Sequence, residues 1–268
     1  MKRIALLSAA FCTFSCATSG ISGHHFASNP VVAHRGAFKK NGFPENSLAS
    51  LREAIRLKCT GSEFDVRMSA DDTLVINHDP HFQGMEIEKT TYQELSSVPL
   101  SNGETLPTLR QYLREGLREN NTTQLVVEIK PSGISKDRGR VVAEKVMNMV
   151  REIKAEKMVT YISFDYDILK KLEELDATAF TQYLNGDVAP DRIKADGIDG
   201  MDYHFSVFRK NPEWIAQAKQ LGVSLNAWTV NERENMEWLL MQKFDFITTN
   251  EPELLLTIAK AENRSSGK

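Results

Sequence analysis

Short apolar runs of strand-like composition alternate with segments of helical periodicity along almost the whole of this chain. The alternation predicts a parallel sheet with helices packed on it, because consecutive parallel strands need a crossover connection. Eight such runs in 268 residues predict a closed (β/α)8 TIM barrel. The predicted strands are Val31–Ala33, Glu63–Val66, Leu125–Ile129, Val159–Ser163, Ala179–Tyr183, Gly200–Tyr203, Val223–Trp228 and Phe246–Thr248.

The segment after the first strand argues against the alternative architecture, an open doubly wound sheet. That fold needs a glycine-rich phosphate loop there, whereas this chain has His34-Arg35-Gly36-Ala37. Farther along, Leu74–Ile76 extends the second strand as a short pair, and residues 79–106 form an irregular excursion. We therefore expect a barrel domain over residues 30–262 with a small insertion after the second strand region.

Carboxylates stand where predicted strands end. Glu63 and Asp65 are two residues apart, so on a strand both side chains point to the same face. Facing a barrel interior, they repel each other and lose hydration unless a counter-ion is present. Oxygen ligands without Cys or clustered His favour Mg²⁺ or Ca²⁺ over Zn²⁺. Two solvated carboxylates on an edge strand are the alternative.

Two histidines and an arginine complete the chemistry at these strand ends. His34 and Arg35 follow the first strand, and His78 follows Leu74–Ile76. Histidine suits proton transfer because its pKa lies near neutrality, and arginine suits a phosphate. With the carboxylates, this is equipment for metal-assisted phosphodiester hydrolysis. The other histidines are assigned to the tail or a loop (His24, His25, His81) or left ambiguous (His204).

Nine short segments in the expected order resemble the glycerophosphodiester phosphodiesterase family. They span residues 31 to 254, nearly the whole mature chain. The matching segments are His34-Arg35-Gly36, Pro44-Glu45-Asn46-Ser47, Glu63-x-Asp65-Val66-Arg67, His78-Asp79, Lys89-Thr90-Thr91, Leu106-Pro107-Thr108-Leu109, Glu128-Ile129-Lys130, Ser163-Phe164-Asp165 and Ala227-Trp228-Thr229-Val230-Asn231.

The resemblance implies hydrolysis of glycerophosphodiesters to an alcohol and sn-glycerol 3-phosphate with one divalent cation, Mg²⁺ or Ca²⁺. It makes His34 the general base and His78 the general acid, with an adjacent glycerol hydroxyl as first nucleophile and a cyclic phosphate that water opens. The implied metal ligands are Glu63, Asp65 and Glu128. The substrate-binding residues are Arg35 and Lys130 for the phosphate and Trp228 over the glycerol.

Some alternatives stay open at this point. A strand-end ion pair would also explain Glu128 and Lys130, and a barrel-core position would also explain Trp228. Asn250 stands where the family usually has Asp, a change that affects a hydrogen bond behind the site. Related activities on intact phospholipid or phosphoinositide, or a non-catalytic phosphodiester-binding lipoprotein, are the rival functions.

The N-terminus has the pattern of an export signal over residues 1–19. Lys2-Arg3 precede an apolar run, and Cys16 lies where a bacterial lipoprotein signal is cleaved before a lipidated cysteine. Simple cleavage near Ala17 to Ser19 is the alternative, because Thr13 is a poor match to the usual leucine. We expect an exported, periplasmic or outer-membrane-anchored bacterial protein. Cys59 then remains alone in the fold as a small buried hydrophobe.

The net charge of −3 provides no basic field for nucleic acid, so the expected partner is a small-molecule glycerophosphodiester. Membrane contact is expected only through the possible N-terminal lipid anchor. Oligomeric state and headgroup preference are left open by the sequence.

Overall fold

The computed structural model describes residues 26–266, and its main feature is a closed barrel of eight parallel strands. The first strand pairs with the last, Val31 beside Ile247, and also with the second, Val32 beside Gly61. A ninth strand lies antiparallel at the edge. The strands are β1 (Val31–Ala33), β2 (Gly61–Met68), β3 (Leu74–Ile76), β4 (His81–Phe82), β5 (Met85–Glu86), β6 (Gln124–Ile129), β7 (Val159–Ser163), β8 (Thr181–Tyr183), β9 (Gly200–His204), β10 (Ser224–Trp228) and β11 (Phe246–Thr249). The predicted TIM barrel is confirmed.

Helices follow the barrel strands, and several of them begin at side-chain caps. Ser47 accepts from Ser50 N at the start of α1, and Asp165 accepts from Asp167 N at the start of α5. The sequence did not predict the six-residue helices α6 and α7. The helices are α1 (Leu48–Arg56), α2 (Tyr92–Leu95), α3 (Leu109–Leu117), α4 (Lys136–Ile153), α5 (Tyr166–Leu175), α6 (Pro190–Ala195), α7 (Phe205–Lys210), α8 (Glu213–Leu221), α9 (Arg233–Met241) and α10 (Pro252–Ser266).

The excursion over residues 79–106 is more ordered than the sequence suggested. It contains the β4–β5 hairpin, a 3₁₀ turn at Ile87–Lys89 and α2. Glu88 connects it to the segment after β6 by accepting hydrogen bonds from Ser132 Oγ at 2.6 Å and from Gly133 N at 2.8 Å. The insertion also has a small core of its own, formed by Val75, Phe82, Ile87, Leu95 and Leu106.

The main core lies between the barrel and the helices. Tyr203 belongs to this layer, since it is fully buried and donates its hydroxyl to Val188 O at 2.8 Å. Although Tyr203 lies near the C-terminal end of β9, its side chain therefore faces the helices rather than the barrel axis. Cys59 is buried, as expected, and is a free cysteine within residues 26–266; burial raises the pKa of its thiol to about 12. Within residues 26–266, no helix has both the length and the apolar character that crossing a membrane requires.

Candidate active site

The turn after β1 brings backbone into the site. Arg35 and Gly36 both have positive φ, 56° and 79°, and a Cβ on Gly36 would lie 2.5 Å from Ser50 Oγ. Only glycine fits this approach without displacing α1. The turn points Arg35 N at Glu63 Oε2, 2.8 Å away, so that the backbone of the first motif holds a carboxylate of the second.

Three carboxylates meet inside the barrel mouth. Glu63 and Asp65 come from β2, and Glu128 from β6 lies beside Asp65 in the strand register. One oxygen of each lies within 4.8 Å of the others, and all three side chains are buried. Asn46 donates to Asp65 Oδ2 at 2.8 Å from the loop before α1. The next residue, Ser47, is the N-cap of α1.

Lys130 lies beside two members of the cluster. Its Nζ is 2.8 Å from Asp65 Oδ1 and 2.6 Å from Glu128 Oε1. Neither oxygen gains a well-directed hydrogen bond from these ion pairs, and Glu63 Oε1 is buried without any hydrogen-bond partner. Buried polar oxygens are normally satisfied, so this arrangement leaves room for a ligand that binds several oxygens at once.

The electrostatics of the cluster favour an additional cation. Burial, followed by repulsion from Asp65, raises the pKa of Glu63 well above its ordinary range and that of Glu128 to about 7. Burial alone would raise the pKa of Asp65 too, but attraction by Lys130 and His78 lowers it. One lysine therefore does not neutralise three buried carboxylates. A hard divalent ion fits this all-oxygen donor set and would keep all three ionised.

The imidazole ring of His34 is fixed through Nδ1, the ring nitrogen that points away from the cavity. Nδ1 lies 2.7 Å from Asn250 Oδ1, and Nε2 lies 3.9 Å from Glu63 Oε2 at the edge of the cluster. With the amide oxygen accepting from Nδ1–H, the lone pair of Nε2 faces the cavity. Burial, followed by the nearby Arg35 charge, lowers the pKa of His34 to about 4, which keeps the ring neutral near pH 7.

His78 is placed by a charge pair and by its own backbone. Its Nδ1 lies 2.7 Å from Asp79 Oδ1, which leaves Nε2 for the cavity. Arg67 donates to the carbonyl of His78 through Nε at 2.9 Å and Nη2 at 2.7 Å. Arg67 belongs to the Glu63-x-Asp65-Val66-Arg67 segment, but the sequence alone did not indicate its function.

A cavity of about 100 Å³ joins these groups. Arg35 borders it, fixed by two 2.9 Å hydrogen bonds from Nη1 to Glu45, and its buried Nε has no hydrogen-bond partner. The cavity is charged on one side and largely apolar on the other. The lining residues are His34, Arg35, Glu63, His78, Glu128, Lys130, Ile162, Phe164, Leu184, Asp202, Trp228, Thr229 and Thr248.

Trp228 forms part of the apolar wall. Its ring meets that of Phe164 edge to face at 5.3 Å, and its Nε1 donates to the backbone carbonyl of Asp202 at 2.8 Å. The side chain of Asp202 also lines the cavity, although sequence analysis did not single it out. His204 packs on Trp228 but turns its Nδ1 to Ser206, away from the cluster.

All eight residues predicted for catalysis, metal binding and substrate binding lie in or directly around one cavity; only Asp65 does not line it, and its carboxylate belongs to the adjoining cluster. Proton carriers beside buried carboxylates at a TIM-barrel mouth place the protein among hydrolases, because a binding module needs no paired acid and base. Residues 34–254 match the model of the glycerophosphoryl diester phosphodiesterase family. The chain belongs to this family and is a phosphoric diester hydrolase.

Similar proteins match this chain over nearly their full lengths. A glycerophosphodiester phosphodiesterase of Caldanaerobacter subterraneus is 29% identical over 245 residues, which cover 86% of this chain and 97% of that protein. A crystal structure of a glycerophosphodiester phosphodiesterase from Parabacteroides distasonis is 39% identical, has a TM-score of 0.85, and covers 89% of this chain and 99% of that one. An Oleispira antarctica phosphodiesterase in complex with the product sn-glycerol-3-phosphate is similar in fold, with 24% identity, a TM-score of 0.71, and coverage of 85% and 95%.

Proposed function

We propose that this protein hydrolyses glycerophosphodiesters to an alcohol and sn-glycerol 3-phosphate, with Mg²⁺ or Ca²⁺ held by Glu63, Asp65 and Glu128. The observation that carries the proposal is that one cavity joins both histidines, the carboxylates and two cationic side chains. A phosphodiesterase of the same fold that contains sn-glycerol-3-phosphate supports the choice of product.

The residues divide the chemistry between them. A cation bound by the three carboxylates would polarise the phosphoryl oxygens and offset their charge. Arg35 and Lys130 orient the phosphate from the charged wall, and Trp228 covers the glycerol carbons from the apolar wall. This arrangement leaves the headgroup directed out of the barrel mouth.

Two proton transfers complete the first half of the reaction. His34 Nε2 takes the proton of the glycerol hydroxyl next to the phosphodiester, and that oxygen bonds to phosphorus while the headgroup oxygen leaves. His78 gives the departing oxygen its proton. In the second half His78 takes a proton from water, the water oxygen bonds to phosphorus and opens the cyclic phosphate, and His34 returns its proton to the glycerol oxygen.

The test is a phosphodiesterase assay with glycerophosphocholine and glycerophosphoethanolamine. Chelation should abolish turnover, and added Mg²⁺ or Ca²⁺ should restore it. His34→Ala and His78→Ala should each lower kcat by roughly 10²–10⁴ while thermal unfolding stays close to wild type. Gln93→Ala, which changes an exposed side chain of α2 that lines neither the cavity nor its mouth, is the control. Full activity after exhaustive chelation, or wild-type rates in both variants, would reject the assignment.

We further propose that the protein is exported to the periplasm and processed at its N-terminus, with lipidation at Cys16 or simple cleavage nearby. The support is the charged, apolar and small-residue pattern of residues 1–19, which lies outside the described residues. Mass spectrometry of protein from native cells tests this proposal. A lipid mass on Cys16 or a free N-terminus close to it supports processing, and an intact Met1 refutes it.

A further inference from the structure

Asp202 is a buried acid for which neither the fold nor the reaction above gives a use. Its side chain is 1% exposed, and Oδ1 has no hydrogen-bond partner. Within residues 26–266 it takes part in no ion pair, and it lies outside the three-carboxylate cluster. A buried carboxyl oxygen without a hydrogen-bond partner lowers stability, so a purely structural residue at this position would be better replaced by an apolar one.

The position of Asp202 points to a ligand. It lines the cavity on the side of Ile162, Leu184 and Trp228, across from the cationic groups. Its backbone carbonyl accepts from Trp228 Nε1, so the indole and the carboxyl group belong to one wall. The phosphate already has Arg35 and Lys130 as partners on the opposite wall, whereas a neutral hydroxyl of the substrate can form a hydrogen bond with this carboxyl group.

We propose that Asp202 recognises the glycerol end of the substrate through a hydrogen bond to the terminal hydroxyl of the glycerol moiety. The inference rests on the proposed function, in which the neighbouring hydroxyl is the nucleophile and the terminal hydroxyl has no other assigned partner. Asp202 is then a specificity residue for a polyol over a simple alkyl chain.

The electrostatic environment agrees with this function. Burial, followed by repulsion from Glu128, raises the pKa of Asp202 well above its ordinary range. A carboxylic acid both donates and accepts hydrogen bonds, as an alcohol does, so the two groups can satisfy each other in either direction. A site that bonds a substrate hydroxyl rejects an analogue lacking it far more strongly than an apolar pocket can.

The test is a cycle of enzyme variants and substrates. The substrates are glycerophosphocholine and propane-1,2-diol phosphocholine, which keeps the nucleophilic hydroxyl and has a methyl group in place of the terminal carbinol. Wild type should lose about 10- to 100-fold in kcat/KM on the deoxy analogue, the range of one hydrogen bond to a buried acid. Asp202→Leu should show nearly equal, low values on both substrates, and Asp202→Asn an intermediate ratio.

Asp199→Asn is the matched control, since Asp199 precedes β9 at the opposite end of the strand and accepts from Thr181 N. It should keep the wild-type ratio. Thermal unfolding of Asp202→Leu should occur at or above the wild-type temperature, because an unsatisfied acid is removed. Should that variant fail to fold, calorimetry on wild type with its cation decides: sn-glycerol 3-phosphate should bind at least about tenfold tighter than its 1-deoxy analogue.

Two failures are distinguishable. Wild type that turns over glycerophosphocholine but treats the deoxy analogue equally, or Asp202→Leu that keeps the wild-type ratio, overturns the assignment of Asp202 alone. Wild type that hydrolyses no glycerophosphodiester overturns the proposed function and this inference with it.

Discussion

The residue behind a catalytic side chain decides which nitrogen faces the cavity. Asn250 accepts from His34 Nδ1 at 2.7 Å, and its own backbone N donates to Asn231 Oδ1 at 2.9 Å. Asn250→Ala removes the contact that fixes the ring and tautomer of His34. We expect kcat to fall about 10- to 100-fold with little change in KM, the effect typical of a hydrogen-bond partner behind a functional side chain.

Steady-state kinetics on glycerophosphocholine measures kcat and KM separately. Asn250→Asp is the matched variant. It keeps an acceptor for Nδ1 and should retain most of the wild-type kcat. Equal loss in both variants would show that Asn250 acts in some way other than by accepting from His34.

A second prediction at this scale concerns stability rather than catalysis. Glu173, on α5, accepts from Thr181 Oγ1 at 2.7 Å, and burial together with repulsion from Asp199 raises its pKa to about 7 from an ordinary 4.5. The folded state therefore holds this proton more tightly than the unfolded chain. Stability from this group is present below about pH 4.5 and is lost as the pH rises to about 7.

Glu173→Gln removes the titration. Its melting temperature relative to wild type should rise between about pH 4.5 and 7 and stay level above that window. Glu174→Gln, which changes a more exposed neighbour paired with Arg140, should show no comparable trend. Thermal unfolding at several pH values measures both, and parallel curves for Glu173→Gln and wild type would contradict the prediction.

Site residues were predictable where a motif contained them and unpredictable where only the strand face decided. Glu63 and Asp65 came from a two-residue spacing, which sets both on one face of β2. On β9 the same alternation of side chains could be used only if the face that points into the barrel were already known. Asp202 lines the cavity, whereas the next residue, Tyr203, turns its side chain to the helices. No motif contained Asp202, and because β9 is buried on both faces the sequence does not show which face is internal.

At the scale of elements, the sequence predicted the strands better than the connections. Apolar runs placed β1, β3 and β7 with the bounds that the structure shows. The six-residue helices α6 and α7 were missed because fewer than two turns show no clear period. The structure of the insertion could not be predicted from its own sequence. Its order depends on hydrogen bonds between Glu88 and a segment far along the chain.

Glu88 therefore offers a test of how the insertion is held. Glu88→Ala removes hydrogen bonds from Ser132 and Gly133 and an ion pair with Arg138 at 3.2 Å. We expect a loss of about 1–3 kcal/mol in the free energy of unfolding, because the partly buried Ser132 and Arg138 lose a charged partner. Amide exchange over residues 79–106 should speed up.

Glu86→Ala is the control, since Glu86 is more exposed and pairs with Lys89 on the surface. Its unfolding free energy should stay within about 0.5 kcal/mol of wild type. Exchange rates over the insertion that are equal in the two variants would show that the small core of the insertion, rather than Glu88, holds it.

At the scale of the whole molecule, the surface around the mouth bears on substrate size. A second cavity of about 320 Å³ lies beside the site and is lined in part by Glu45, Asp79 and Phe82. Glu45 and Asp79 are also the partners of Arg35 and His78, so these charge pairs separate the two cavities. The outer cavity can receive a leaving headgroup.

Headgroups should therefore be distinguished only weakly, and intact lipids poorly. Among the described residues the exposed large apolar side chains, Ile134, Val141 and Met241, are distributed over separate segments and offer no continuous face for a bilayer. We expect kcat/KM for glycerophosphocholine, glycerophosphoethanolamine and glycerophosphoglycerol to agree within about tenfold, a spread of ~1.4 kcal/mol in transition-state binding. Intact phosphatidyl lipids in micelles should be turned over more slowly than any of these, because acyl chains on the glycerol have no room in a cavity of about 100 Å³. A higher kcat/KM on the intact lipids would instead make the protein a phospholipase.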